Sequence, residues 1–188
     1  MEEKEPNMKI NSLENLLADE LRDIYSAENQ MIKSLSKLAE VAVSEDLNAT
    51  LENHLKQTQN HARRLEEICN DLKIKHKGKK CVGMQGIIEE GKELIQSDAE
   101  PEPLEAALIG IAQRSEHYEI AAYGTARAHA RQLGFMKVAD VLGQTLEEEK
   151  QADRHLTVLA ENKVNMQASM SKIGGQQKEP RDFPAAGL

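Results

Sequence analysis

The chain has 188 residues, of which 32 are acidic and 24 are lysine or arginine, so its formal net charge at pH 7 is −8. This length suits one domain with a sizeable core, and the net negative charge argues against nucleic acid as the main partner. The sequence has no run of about 20 apolar residues, the length that is needed to cross a bilayer. Its first residues are acidic and lack the apolar run of a secretion signal. The only cysteines are Cys69 and Cys81. We therefore predict a cytoplasmic protein without membrane contact.

Apolar residues recur at helical spacing through most of the chain and predict four long helices. Residues 1–11 are polar and are predicted to form a flexible arm. The predicted long helices span, in chain order, residues 13–43, 48–72, 104–133 and 135–161. A shorter amphipathic helix is predicted near residues 84–95. No pattern of alternating polar and apolar residues competes with this helical prediction.

The connections between the predicted helices indicate how they are arranged. The short breaks near Ser44 and Gly134 favour antiparallel neighbours, whereas residues 73–103 are long enough to carry the chain back along the bundle. Two prolines at 101 and 103 are expected to stand before the third long helix. The sequence thus predicts an all-α, antiparallel four-helix bundle over residues 12–162. Its crossover carries the short fifth helix, and residues 163–188 are predicted to be a polar, disordered tail.

Several acidic residues lie on the apolar stripes of these helices. The helical neighbours of Glu28 are Leu21, Ile24, Tyr25, Met31, Ile32 and Leu35. A carboxylate facing a core is costly unless it is paired or bound to a metal. Further polar residues on such stripes are His61, Glu116, Glu119 and Glu149.

The spacing of these residues predicts that they meet. Glu28 precedes His61 by 33 residues, and Glu116 precedes Glu149 by 33 residues. Within a helical hairpin, both members of each pair then lie at a similar depth from the turn. All four long helices would offer an oxygen or nitrogen ligand at one level, which is how helical bundles build a di-metal site. Such ligands suit iron or manganese.

Four stretches of this sequence resemble the YciE/YciF-type stress proteins of the ferritin-like superfamily of di-metal carboxylate bundles. They are ELRDIYSAENQ (20–30), HLKQTQNHARRLE (54–66), SEHYEIAAYGTA (115–126) and TLEEEKQAD (145–153). The resemblance covers residues 10–162. It implies a di-iron or iron–manganese protein with ferroxidase-type or peroxide-handling activity in stress, which reacts with dioxygen or hydrogen peroxide. It also implies a homodimer.

The sequence departs from the full ferritin-like pattern, which has a Glu-x-x-His motif on two helices. Thr58 stands before His61 where the pattern has glutamate, and Ala152 follows Glu149 where it has histidine. The predicted ligands of two iron ions, with manganese as the alternative metal, are Glu28, His61, Glu116, Glu119, Glu149 and Asp153. Glu116 or Glu28 is predicted to bridge the ions. Candidate substitutes for the missing ligands are Glu148, Gln57 and His54.

Other interpretations of these features stay open at this stage. The acids could form a metal-free polar network in a structural or interaction bundle, and the same ligands would also serve a manganese catalase-like enzyme. Glu20 could touch a metal or pair with Arg64. The three tyrosines, Tyr25, Tyr118 and Tyr123, could fill the core or support the site. The lysine-rich residues 73–80 are predicted to be a solvated loop rather than a nucleic-acid site.

Overall fold

The computed structural model describes residues 10–170, and the predicted arm and tail therefore lie largely outside the described residues. The helices are α1 (Leu13–Val41), α2 (Glu45–Asp71), α3 (Val82–Gln96), α4 (Pro101–Gln132), α5 (Met136–Leu159), a π-helical turn (Ala160–Val164) and α6 (Asn165–Met170). The part of the chain described here contains no β-strand. The prediction of an all-α bundle with a short helix in its crossover is confirmed.

The first hairpin consists of α1 and α2, which pack along each other. Both helices begin at a serine that caps the free backbone amides of the first turn. The Ser12 hydroxyl accepts from the Asn15 amide at 3.2 Å, and the Ser44 hydroxyl accepts from the Leu47 amide at 3.2 Å. Since only residues 42–44 separate the two helices, α2 must run antiparallel to α1.

The second hairpin consists of α4 and α5. Helix α4 begins at Pro101, so the expectation that both prolines precede this helix was wrong. A proline in the first turn costs little, because the amide that it lacks would have no partner within the helix. The same helix ends as predicted near Gly134, whose φ of 78° is a left-handed conformation that suits glycine. The Phe135 amide then donates to the Ala130 carbonyl at 2.9 Å and closes the turn.

Helix α3 lies in the crossover and packs against α1 and α4. Its capping residue is Cys81, whose sulfur accepts from the Met84 amide at 3.4 Å. This cysteine is fully buried, and so is Cys69 on α2.

The helical region extends past the predicted boundary at residue 162. The π-helical turn and α6 continue the last long helix to Met170, so residues 163–170 do not belong to a disordered tail. The physical reason is an apolar pair one turn apart, Ala160 and Val164, whose side chains are buried in the core. Among residues 10–170, no helix is apolar over a length that would span a membrane.

The hydrophobic core is divided into two clusters along the bundle. Representative members of the first are Leu21, Leu65, Tyr123 and Leu142, and those of the second are Leu35, Leu51, Ile109 and Leu156. In α2, α4 and α5, the residues of one cluster are separated from those of the other by the predicted site residues, and in α1 the two clusters meet next to Glu28. The buried acids therefore form a polar layer between two apolar halves.

Candidate metal centre

Five predicted ligands are buried in this polar layer. Their side chains are at most 1% exposed, and they come from all four long helices: Glu28, His61, Glu116, Glu119 and Glu149. Burying several ionised carboxylates together is unfavourable, because each loses its hydration and repels the others. A cation would offset both costs.

These side chains form two overlapping groups that could each hold a metal ion. The first group contains Glu28, His61 and Glu149, and the second contains His54, Glu116, Glu119 and Glu149. Within each group, one ligand atom per residue lies within 4.8 Å of the others. The described residues thus provide two adjacent candidate sites, and Glu149 belongs to both.

The carboxylate of Glu149 points one oxygen at each group. Its Oε1 lies 2.8 Å from Nδ1 of His61, and its Oε2 lies 3.8 Å from Nε2 of His54. The residue that the geometry places between the two groups is therefore Glu149, whereas the sequence favoured Glu116 or Glu28 as the bridging residue. Helical spacing did not single out Glu149, because spacing gives the level of a side chain but not the direction of its carboxylate.

His54 supplies the second imidazole of the cluster. It lies two turns before His61 on the same face of α2, and its Nε2 is 3.0 Å from Oε1 of Glu116. The sequence suggested it only as a substitute. Ala152 has no group to offer from α5, and the second imidazole of the cluster comes from α2 instead.

Asp153 lies outside both groups, and its assignment as a ligand is corrected. Its Oδ1 accepts from Nε2 of Gln113 at 3.0 Å and lies 3.3 Å from Nε2 of His117. A step of four residues from Glu149 overshoots a full helical turn, because one turn takes about 3.6 residues. The Asp153 side chain is thereby turned towards α4.

The polar layer contains an unusual set of buried polar atoms, for which metal ligation would account. Within residues 10–170, ten buried side-chain nitrogen and oxygen atoms have no hydrogen-bond partner. Nine of them belong to the six residues of the two groups, and the tenth is the Thr58 hydroxyl. These atoms lie close to one another, but the angles between them are not those of hydrogen bonds. Natural proteins rarely leave such atoms unpaired, and oxygen and imidazole donors are those that iron and manganese take.

The protonation of these groups reflects their burial. Burial, aided by the charge of Glu149, raises the pKa of Glu28 to about 8, and burial raises the pKa of Glu116 to about 7 against the opposing effect of His54. Burial and the neighbouring carboxylates hold the pKa of Glu119 well above its usual value. Burial opposes a charged His54, but the Glu116 carboxylate prevails and raises its pKa to about 10. Protons would therefore compete with any metal ion for this cluster.

A second layer of contacts orients His61. Its Nε2 lies 2.8 Å from Oε2 of Glu148, which leaves Nδ1 facing Glu149. Arg64 donates to both oxygens of Glu148 at 2.6 and 3.0 Å. Although burial alone would raise the pKa of Glu148, these bonds hold it at about 2. Glu148 thus positions a ligand rather than belonging to either group.

The structure also shows the contacts of Glu20 and of the three tyrosines, whose roles the sequence left open. Glu20 lies 2.8 Å from Nδ1 of His129, so it belongs to neither metal group and does not pair with Arg64. Of the three tyrosines, Tyr123 donates to Oε1 of Glu28 and so contacts a ligand. The other two hydroxyls donate elsewhere, from Tyr25 to Glu66 and from Tyr118 to Asp23, both at 2.6 Å.

We expect Arg64→Met to weaken metal binding by about 10-fold, the lower end of the range for residues that orient ligands. Methionine keeps much of the aliphatic volume but removes the bidentate contact that holds Glu148 against His61. Titration of the metal-free protein with ferrous iron under anaerobic conditions would measure the change. Arg63→Met, one residue away and exposed, is the matched control. Equal affinities in the two variants would contradict this role of Arg64.

Fold and site together define a class: all-α four-helix bundles that carry a buried carboxylate–histidine cluster. The family described as a domain of unknown function, DUF892, matches residues 12–169. The protein YciF of Escherichia coli K12 is 43% identical over 162 residues, which cover 86% of this chain and 98% of YciF. The chain therefore belongs to the YciF-type DUF892 family, and the resemblance seen in the sequence is confirmed.

Solved structures agree with this assignment. The crystal structure of the E. coli stress protein YciF matches with a TM-score of 0.80 and 43% identity, covering 83% of this chain and 99% of YciF. YcfI from Rhodopseudomonas palustris, described provisionally as a structural protein, matches with a TM-score of 0.78 and 39% identity, covering 81% of this chain and 97% of YcfI. The relation to a stress protein is thereby shown.

Proposed function

We propose that this protein binds two iron ions, or iron and manganese, and uses them in a ferroxidase-type or peroxide-handling reaction during stress. The observation that carries the proposal is the set of buried, unpaired ligand atoms shared between two adjacent groups. Glu28 and His61 would hold one ion, His54, Glu116 and Glu119 the other, and Glu149 both. The homodimer and the cytoplasmic location suggested by the resemblance and the composition form part of the same proposal.

When bound, the two ions would supply one electron each to dioxygen or hydrogen peroxide. The protein's own contribution is to hold negative charge around them. The buried carboxylates would favour the more highly charged oxidised ions over the reduced ones, and the two apolar clusters enclose the layer from both ends of the bundle. Arg64 and Glu148 hold the His61 ring in one orientation, whether the ring is neutral or charged, and this would preserve the ligand geometry during the reaction.

A second candidate function is a structural or interaction bundle whose cluster binds no metal. The close contacts of His54 with Glu116 and of His61 with Glu149 favour it, because protonated imidazoles would offset part of the carboxylate charge. The absence of glutamate at Thr58 and of histidine at Ala152 also supports it, as does the provisional description of YcfI as structural. The manganese catalase-like alternative uses the same ligands and would differ by evolving dioxygen from peroxide.

Counting bound iron would separate the first two candidates. The metal-free protein is loaded anaerobically with ferrous iron, freed of excess metal and assayed for iron, and we expect about two ions per chain, one for each group. Exposure to dioxygen or hydrogen peroxide should then produce ferric iron, recorded by its absorbance. Fewer than about half an ion per chain at saturation would overturn the di-metal proposal, since even one formed site would exceed that value.

A further inference from the structure

The buried cluster has an entrance between α2 and α5. A cavity of about 300 Å³ begins at the surface beside Ala49 and Asn53 and reaches inward to His54 and Glu116. Its floor therefore consists of two residues of the second metal group. Both Glu116 oxygens are buried without a hydrogen-bond partner, so the cavity ends at groups that are available for a ligand or a metal.

The cavity exists because a small residue stands at the inner wall. Ala152 lines the cavity one turn from Glu149, at the position where the ferritin-like Glu-x-x-His pattern has a histidine. A histidine here would project into the space that the alanine leaves. In this chain the imidazole comes instead from His54 on α2, on the other side of the cavity. With Ala152 on α5 and His54 on α2, the cluster keeps a nitrogen ligand and gains a path from the surface to the second metal group.

The size and lining of the cavity indicate what it accepts. Its volume is about ten times the roughly 30 Å³ that a water molecule occupies, and it lies at the lower end of the range for small-molecule sites, about 300 Å³. Dioxygen or hydrogen peroxide would fill only a small part. Leu51 and Leu156 provide an apolar strip along the wall, whereas the floor is polar and Gln57 and His155 add polar groups to the wall. The cavity is thus suited to a molecule with a short hydrocarbon body and one small polar end.

We propose that this cavity binds a small organic hydroperoxide as the oxidant of the proposed di-metal site. Its hydrocarbon part would lie against Leu51 and Leu156, with the –OOH group at His54 and Glu116. The reaction is ROOH + 2 Fe²⁺ + 2 H⁺ → ROH + H₂O + 2 Fe³⁺. The O–O bond breaks, the two ferrous ions provide the two electrons, and the two protons come from solvent at the mouth. This inference rests on the proposed function for its chemistry.

Binding can be tested without metal, using 2-phenyl-2-propanol, the alcohol formed from cumene hydroperoxide. NMR spectra of the metal-free protein with labelled methyl groups are recorded during its titration. We expect saturable shifts of the methyl signals of Leu51 and Leu156. Ala49→Trp, an exposed substitution at the mouth, should abolish these shifts, whereas Ala121→Leu, which lies at a different groove, should preserve them. Shifts that fail to saturate, or that persist in Ala49→Trp, would overturn the proposal.

Turnover gives an independent readout. In the ferrous-loaded protein, Ala49→Trp and Ala152→Leu should lower the rate with cumene hydroperoxide by at least about 10-fold relative to the rate with hydrogen peroxide. Ala121→Leu should leave the ratio unchanged. An unchanged ratio in both cavity variants would overturn the organic substrate while leaving the di-metal site intact. If no iron binds at all, the proposed function fails instead, and saturable binding of the alcohol would still establish a site for an organic molecule.

Discussion

Replacing Glu149 with glutamine is expected to abolish binding at both metal groups together. Glutamine keeps the size of the side chain but removes the negative charge that faces His61 on one side and His54 on the other. We expect the affinity for ferrous iron to fall by more than about 100-fold, beyond the effect usual for residues that only orient ligands. Anaerobic titration, followed by iron analysis of the purified protein, would measure this loss.

Glu28→Gln is the matched control for Glu149→Gln, since it removes a ligand of the first group only. The protein with this substitution should retain about one ion per chain, because the second group keeps all its members. Helical content by circular dichroism should be unchanged in both variants. If Glu149→Gln retained the same number of ions as Glu28→Gln, Glu149 would not be shared.

Replacing Glu119 with methionine is expected to make the metal-free protein more stable. Both oxygens of Glu119 are buried without a hydrogen-bond partner and lie near other carboxylates. An apolar side chain of similar volume removes this cost, and we expect a gain of about 2 kcal/mol in the free energy of unfolding. For a chain of this length, that gain corresponds to a rise in Tm of about 4–8 °C. Calorimetry of the metal-free proteins would test it.

The gain from Glu119→Met should increase with pH. The pKa of Glu119 is raised in the folded state, so as the pH climbs above the ordinary glutamate pKa of 4.5 the unfolded chain ionises first and is favoured. The variant lacks this penalty, and its advantage should therefore be larger at pH 7.5 than at pH 5.5. Added ferrous iron should reverse the order of stability, because it stabilises the wild type more. Glu67→Met, an exposed substitution on α2, should show neither effect.

The bundle could be predicted from the sequence because apolar periodicity and turn residues determine helices and their short connections. The errors occur at helix ends. The α4 prolines were judged by their cost inside a helix, although the first turn tolerates them. The continuation to Met170 depends on the burial of Ala160 and Val164 against other helices, which the polar sequence around them conceals.

The site could be predicted in part, because a carboxylate on an apolar stripe is informative wherever it occurs. Five predicted ligands lie in the two groups, namely Glu28, His61, Glu116, Glu119 and Glu149. The sequence indicated His54 only as a substitute ligand, because its helical neighbours Gln57 and Thr58 are polar and it does not lie on an apolar stripe. A usable signal was its place two turns from His61 on the same face. The prediction of Asp153 as a ligand rested on its four-residue spacing from Glu149, and such spacing alone cannot give the direction in which a side chain points.

The polar layer bears on when the proposed metal ions would enter the protein during synthesis. The α1–α2 hairpin contains Glu28, His54 and His61, and the α4–α5 hairpin contains the other three ligands. Neither hairpin holds a complete group, because each group draws ligands from both. A nascent chain could therefore form its first hairpin beside free iron without capturing it. Capture would wait until the crossover joins the halves, so that the proposed redox chemistry would begin only inside a finished protein.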